Sequence, residues 1–317
     1  MKANFIKCHG SGNEFVMIDS LVHDLSDASL SQLSRAVCDR ETGIGADGVL
    51  LLVRNTEGLY GMRMFNPDGS EAEMCGNGIR CIARLAEEYI GEGEFTLTSG
   101  GKLYPTRRSE DIFPEIPTYG VEIGVRLWSD DFRMNASAEG NFIDRPIEAL
   151  SEELRFTAIN VGNPHIIAKV EKIDLGLLKE LGERVTTLRE IFPRGVNISF
   201  VEMREPNSIF VTTYERGAGI TPSCGTAMTS SATAMALMGL CDYDTPIKVV
   251  NRGGAVECIC SQRGGLHTTL IGNATYICEG ELSLDGTRFA FDIKHHFDDE
   301  AARYNAMLAS LQNSTTL

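Results

Sequence analysis

Two periods organise the apolar positions of this chain. Leu30, Leu33 and Val37 recur at helical spacing within Leu25 to Asp39, which predicts an amphipathic helix. Short alternating or continuous apolar runs predict strands around it. Phe5 to Asp19 reads as two strand-like stretches flanking Gly10-Ser11-Gly12-Asn13, and Val49 to Val53 and Tyr60 to Phe65 read as two more. Asn66-Pro67-Asp68-Gly69-Ser70 has the composition of a turn. Ile79 to Ile90 predicts a second helix, stopped by Gly91. Phe95 to Tyr104 reads as one alternating strand. Pro105 to Tyr119, with three prolines and many charges, reads as a surface connection, and Val121 to Trp128 as a further strand.

The second half has the same style. Phe156 to Val161 and Ile166 to Val170 read as strands around Gly162-Asn163-Pro164-His165, Leu175 to Arg184 as a helix, and Val196 to Glu202 and Ile209 to Tyr214 as strands. Met228 to Gly239 carries no charge, and a helix without a polar face is buried inside its domain. The chain then alternates to about Cys278, as antiparallel sheet does. Leu284 to Leu317 reads as a strand pair and a final amphipathic helix. Each half contains a strand, a loop, a Cys-Gly pair and a helix. Cys75 and Cys224 lie 149 positions apart (224 − 75), which suits two similar domains.

Length and charge narrow the function. The 317 residues suffice for two cores of ordinary size. A net charge of −15 repels phosphate backbones and anionic lipid, so neither nucleic acid nor a membrane is an expected partner. It leaves a small zwitterionic substrate open, because one local arginine overrides the global field. The N-terminus lacks the apolar core of a secretory signal, and no run approaches the ~18 apolar residues of a membrane span; the expected location is cytoplasmic. Nine scattered cysteines without a C-x-x-C pair, and six histidines dispersed apart from His295-His296, predict reduced thiols and no metal. Gly43-Ile44-Gly45-Ala46-Asp47-Gly48 spells a dinucleotide fingerprint, but a helix precedes it and a strand follows, the reverse of the required order. It reads as a turn feeding a strand.

The chemistry concentrates at the two Cys-Gly pairs. A cysteine at a helix N-terminus lies beside unpaired backbone N–H groups and the positive end of the dipole. Such surroundings lower a thiol from about 8.5 to roughly 3.5–7.5. The glycine lets a ligand approach the backbone, and the same N–H groups cradle a carboxylate. Each helix start thus supplies a base and an anion site. Inverting an α-carbon needs a base on one face, an acid on the other, and donors for the enediolate charge. Buried, inert packing is the ordinary fate of a cytosolic cysteine, and Cys8, Cys38, Cys81, Cys241, Cys258, Cys260 and Cys278 are assigned to it.

Several ordered motifs resemble the diaminopimelate epimerase family over nearly the whole chain up to about Cys278. They are His9-Gly10-x-Gly12-Asn13-x-Phe15, Gly43 to Gly48, Phe65-Asn66-x-Asp68-Gly69-Ser70, Cys75-Gly76-Asn77-Gly78-x-Arg80, Gly162 to His165, Val196-Asn197, Glu215-Arg216-Gly217-Ala218-Gly219 and Cys224-Gly225-Thr226. The resemblance implies an α/β fold of two pseudo-symmetric domains, each a curled, mostly antiparallel sheet around a central helix. It implies domains over 1–128 and 129–272, the first completed by a strand near 273–283, and an appendage over 284–317, with a homodimer as a possible assembly. It implies epimerisation of LL- and meso-2,6-diaminopimelate without pyridoxal phosphate or metal, a step toward lysine and cell-wall precursors. By the same match Cys75 and Cys224 are the catalytic pair. Asn13, Asn66, Gly76, Asn77, Asn163, His165, Asn197, Glu215, Arg216, Gly225 and Thr226 surround the substrate.

The chain departs from the family around the second cysteine, and the segment from Leu284 onward has no counterpart in the family core. Where Gly-Glu-Thr-x-Ala-Cys-Gly is usual, it has Gly219-Ile220-Thr221-Pro222-Ser223-Cys224-Gly225, followed by Thr226-Ala227-Met228. This keeps open a related racemase acting on histidine, lysine or lanthionine. A cysteine-nucleophile hydrolase built on His165 and Asn163 is the alternative of another class. It leaves the second Cys-Gly pair unexplained.

Overall fold

The structure is a computed structural model that describes residues 2–23, 26–91, 93–127, 129–133, 141–286 and 288–314. They form two compact units, Met1–Val121 with Ile271–Leu317, and Glu122–Leu270. Among the described residues no helix is long and apolar enough to cross a membrane.

The first unit opens with β1 (Lys2–Gly10), β2 (Asn13–Asp19), α1 (Asp27–Cys38), β3 (Gly48–Arg54), β4 (Tyr60–Phe65), β5 (Glu71–Ala72), α2 (Gly76–Ile90), β6 (Glu94–Ser99), β7 (Lys102–Ser109) and β8 (Thr118–Gly124). Tight turns dictate the antiparallel pairs β1–β2, β3–β4, β4–β5 and β6–β7, and the two helices are crossovers that make β2–β3 and β4–β6 parallel. α1 packs on one face of the sheet through Leu30, Leu33 and Val37 against Val16, Ile18, Val49 and Leu51. α2 covers the other face, with Gly78 against Leu50 and Met62. β3 is covered on both sides, and its unbroken run Val49 to Leu52 is therefore fully buried.

The second unit contains β9 (Arg145–Ile147), β10 (Ser151–Asn160), β11 (Pro164–Lys169), α3 (Leu175–Val185), β12 (Asn197–Glu205), β13 (Ser208–Glu215), β14 (Gly219–Thr221), α4 (Gly225–Leu237), β15 (Pro246–Asn251), β16 (Gly254–Ser261) and β17 (His267–Asn273). From β10 onward it repeats the first unit element by element. β10–β11, β12–β13, β13–β14 and β15–β16 are antiparallel, and β11–β12 and β13–β15 are parallel across the two helices. The equivalence is residue by residue. Phe65 opposes Glu71 as Tyr214 opposes Ile220, at the same interval of 149 (214 − 65, 220 − 71) as the two cysteines. Every residue of α4 from Gly225 to Ala236 is buried, as the absence of charge predicts.

The chain leaves the first unit inside β8 and returns inside β17, then forms β18 (Thr275–Asp285), β19 (Arg288–His296) and α5 (Asp298–Ser314). β18 pairs with β1, from Lys2 opposite Ser283 to His9 opposite Thr275, and β19 adds to β18. The crossings at 121/122 and 270/271 stand against the expected divisions at 128/129 and 272/273, and residue 128 lies outside the described residues. Residues 288–314 belong to the first unit rather than standing apart as an appendage. Two other expectations are corrected. Phe95 to Tyr104 is a hairpin, turned by Gly100-Gly101, not one strand, and Pro105 to Ser109 is strand β7, not surface connection.

Candidate active site

Both cysteines occupy the N-cap of their helix with nearly the same backbone, φ −140° and ψ 115° at Cys75, φ −138° and ψ 110° at Cys224. Extended geometry at the cap turns the side chain back over the first turn, whose N–H groups have no helical partner.

In the first unit the Cys75 sulfur accepts the Gly78 N–H at 3.4 Å. The thiol in turn lies 3.9 Å from Asn13 Oδ1, to which Asn77 Nδ2 donates at 3.4 Å. Asn13 sits at the start of β2, after a two-residue turn with φ 54° at Ser11 and 78° at Gly12. Its amide donates to Asp47 Oδ2 at 2.8 Å, and Asp47 also accepts the Glu14 N–H and Arg40. The turn touches the helix start so closely that a Cβ on Gly10 would stand 2.8 Å from the Asn77 carbonyl. Arg80, with no exposed surface, donates to Gly76 O, Asn77 Oδ1 and Ser11 Oγ, and so ties helix start to turn. Asn66 is held in its own turn by Ser70, while Gly76 and Asn77 are buried at the helix start.

In the second unit the predicted residues form a connected chain. The Cys224 sulfur lies 3.4 Å from Thr226 Oγ1. Thr226 Oγ1 lies 3.1 Å from His165 Nε2, which is 3.0 Å from Asn163 Oδ1. His165 is fully buried, and among the described residues its Nδ1 has no hydrogen-bond partner. Burial, and then the Arg216 charge, push its imidazole down to about 3, so it is neutral. Asn197, paired with His165 across β11–β12, accepts the Arg216 N–H at 3.0 Å. The Arg216 guanidinium is exposed and donates to Arg194 O. Glu215 accepts from Thr221 Oγ1. Gly225 opens α4 beneath the sulfur.

One expectation fails here. Cys224 at its helix start is not acidified: burial pushes the thiol well above its ordinary value, and the Glu215 carboxylate raises it further. The Ala227 N–H and the Thr226 hydroxyl favour the thiolate, but removing it from water outweighs both and the dipole. Asp47, Arg80 and Thr221 hold this machinery, though sequence reasoning assigned them no role. Asp47 and Arg80 stood inside motifs, but only the strand register reveals what they touch.

The departure before Cys224 is also explained. Ile220 opposes Tyr214 and packs into the apolar cluster under α3. Ser223 is engaged by Asn251 at 3.1 Å. Thr221, kept from the common pattern as Gly219 is, meets Glu215.

Several solved structures share this α/β fold. They include a PhzF-family phenazine biosynthesis protein of Bacillus anthracis, 15% identical over 90% of this chain and 100% of that one with a TM-score of 0.64. A hydroxyproline epimerase of Agrobacterium vitis is 13% identical over 90% and 93%, with a TM-score of 0.63. At these identities the likeness is one of fold. Sequence goes further: residues 5–111 and 157–277 match the diaminopimelate epimerase family, and the chain belongs to it. It is an isomerase of the epimerase type. Diaminopimelate epimerases of Clostridium acetobutylicum, 37% identical over 96% of this chain and 93% of that one, and of Ligilactobacillus salivarius, 39% over 96% and 98%, are among its relatives.

Proposed function

We propose that the protein interconverts LL- and meso-2,6-diaminopimelate by a two-base thiol mechanism, without pyridoxal phosphate or metal. The carrying observation is the pair of cysteines at equivalent N-caps of a duplicated fold, one with its sulfur on an N–H of its helix and one kept protonated. The Cys75 thiolate takes the α-proton, and the Cys224 thiol delivers its own to the opposite face; the reverse reaction exchanges the roles. Backbone N–H groups at Gly76 and Asn77, and at Gly225 and Thr226, bind the carboxylate and carry the enediolate charge. Arg216 takes the distal carboxylate, and Asn66, Asn163, Asn197 and Glu215 the ammonium groups and remaining oxygens. Membership of the family and the names of its close relatives support this substrate. Ile220 packs, half-buried, against the apolar cluster under α3, so it gives no reason to prefer another amino acid. The reaction takes place in the cytoplasm, in a homodimer.

The test is solvent-deuterium exchange with LL-diaminopimelate, L-histidine and L-lysine. Diaminopimelate is expected to gain α-deuterium and invert, and Cys75→Ala and Cys224→Ala each to lose at least about 10³-fold of inversion. Inversion of histidine or lysine in its place overturns the substrate. Inversion surviving Cys224→Ala overturns the mechanism.

A further inference from the structure

α5 lies beyond the residues that match the family, yet its inner face is built against the first half-site. Glu300, Tyr304, Met307 and Leu311 fall on one stripe at helical spacing, and the last three are buried. Glu300 grips α2 through a two-bond pair with Arg84, both at 2.7 Å, and accepts the Tyr276 N–H at 3.1 Å. One turn on, Tyr304 sets its ring edge-on to His9, with centroids 4.3 Å apart.

His9 lies at the root of the turn that carries Asn13. Its Nδ1 faces the Gly12 N–H at 3.3 Å and Asn273 Nδ2 at 3.3 Å. Asn273 in turn accepts the Ser11 N–H at 2.8 Å through Oδ1, which fixes its amide with nitrogen toward the ring. Backbone N–H groups only donate, so Nδ1 must accept, and the ring is the neutral Nε2–H tautomer. A proton on Nδ1 would set donor against donor and release the turn.

We propose that Tyr304 is a positioning residue for Cys75: by sealing the His9 ring from water it preserves the acceptor that holds the Ser11–Gly12 turn, and with it Asn13 against the thiol. Both rings are nearly sealed, His9 at 7% and Tyr304 at 5% exposure. The charged groups around His9 are Glu14 on β2, Glu300 on α5, Arg80 on α2 and Lys7 on β1. Burial prevails over the two carboxylates and pushes the imidazole down to about 4. The kinetic consequence rests on the proposed reaction; the titration of His9 does not.

The experiment compares Tyr304→Phe, Tyr304→Leu and Tyr304→Met in the full chain, with His9→Gln to assign the ring resonances by nitrogen-15 NMR. In the parent and Tyr304→Phe, His9 stays neutral to about pH 5. In Tyr304→Leu or Tyr304→Met its titration moves up by at least about one pH unit. Inversion by these two variants falls at least about twofold in kcat at pH 5 relative to Tyr304→Phe, with KM little changed, and the difference closes by pH 8.5. An unmoved His9 titration in either folded variant overturns the proposal. So does a loss of kcat equal at every pH, which marks a merely structural contact. If the enzyme inverts a different amino acid, the NMR arm still decides.

Discussion

The two cysteines share a backbone and differ in what surrounds the sulfur. Where the second unit has Glu215, the first has Asn66, an amide for a carboxylate at the same register position. The carboxylate and the deeper burial keep the Cys224 thiol protonated, whereas Cys75 is half-buried. Iodoacetamide at pH 7 is therefore expected to label Cys75 at least about tenfold faster than Cys224, because the thiolate is the reacting form. Glu215→Gln should speed labelling of Cys224 by about three- to tenfold, with Cys75 unaffected. Peptide mass spectrometry reads both rates, and equal labelling in the parent would remove the asymmetry on which the assignment of resting proton donor depends.

Among the elements, α3 shows best how packing overrides propensity. Gly182 lies in a helix, where alanine ordinarily adds about 1 kcal/mol of stability. Here the ring of Tyr214 on β13 rests on the glycine, and a Cβ would come within 2.2 Å of it. Gly182→Ala is thus expected to destabilise by about 1–3 kcal/mol, as overpacking does. Urea unfolding measures it, and a gain in stability would mean the ring moves freely. The same distinction governs what could be read beforehand. Helices with a clean period, and the uncharged run of α4, were legible because their burial is written in one segment. The hairpin β6–β7 was not. Pro105 suggests a loop, but it pairs with Thr96 on β6 and lies outside the register of β7 with β8, which starts at Thr106, so its missing N–H costs little there. The cysteines were legible from their Cys-Gly context. Asn273 was not, since it meets Ser11 from 262 residues away; Glu215 was placed at the site, but its effect on the Cys224 thiol was not legible.

For the molecule as a whole, two buried neutral histidines set the response to acid. His9 and His165 have folded values of about 4 and about 3, both below the ordinary 6.5. From about pH 6.5 downward the unfolded chain binds protons that the folded chain refuses. Their contribution is fully present above pH 6.5 and is lost as the pH falls toward 4 and below, with a slope of up to about 1.4 kcal/mol per pH unit for each histidine. Glu300, whose burial is outweighed by Arg84, acts in the same direction lower down. Urea midpoints are expected to fall clearly from pH 7 to pH 5. A flat profile over that interval would show that both rings are hydrated.

The path of the backbone through the two units has a further consequence, for the time at which each becomes able to fold on the ribosome. All of the second unit is synthesised as one uninterrupted stretch, Glu122 to Leu270. The first unit is not: its opening strand pairs Lys2 with Ser283 and His9 with Thr275, partners synthesised 281 and 266 residues later (283 − 2, 275 − 9). Synthesis proceeds at about 5–20 residues per second, so β1 waits on the order of ten seconds or more for β18. The second unit is born able to close, while the first waits with an unpaired strand edge and an uncovered α2. A cell making this protein must shield that early-born half for most of the time it takes to build the rest.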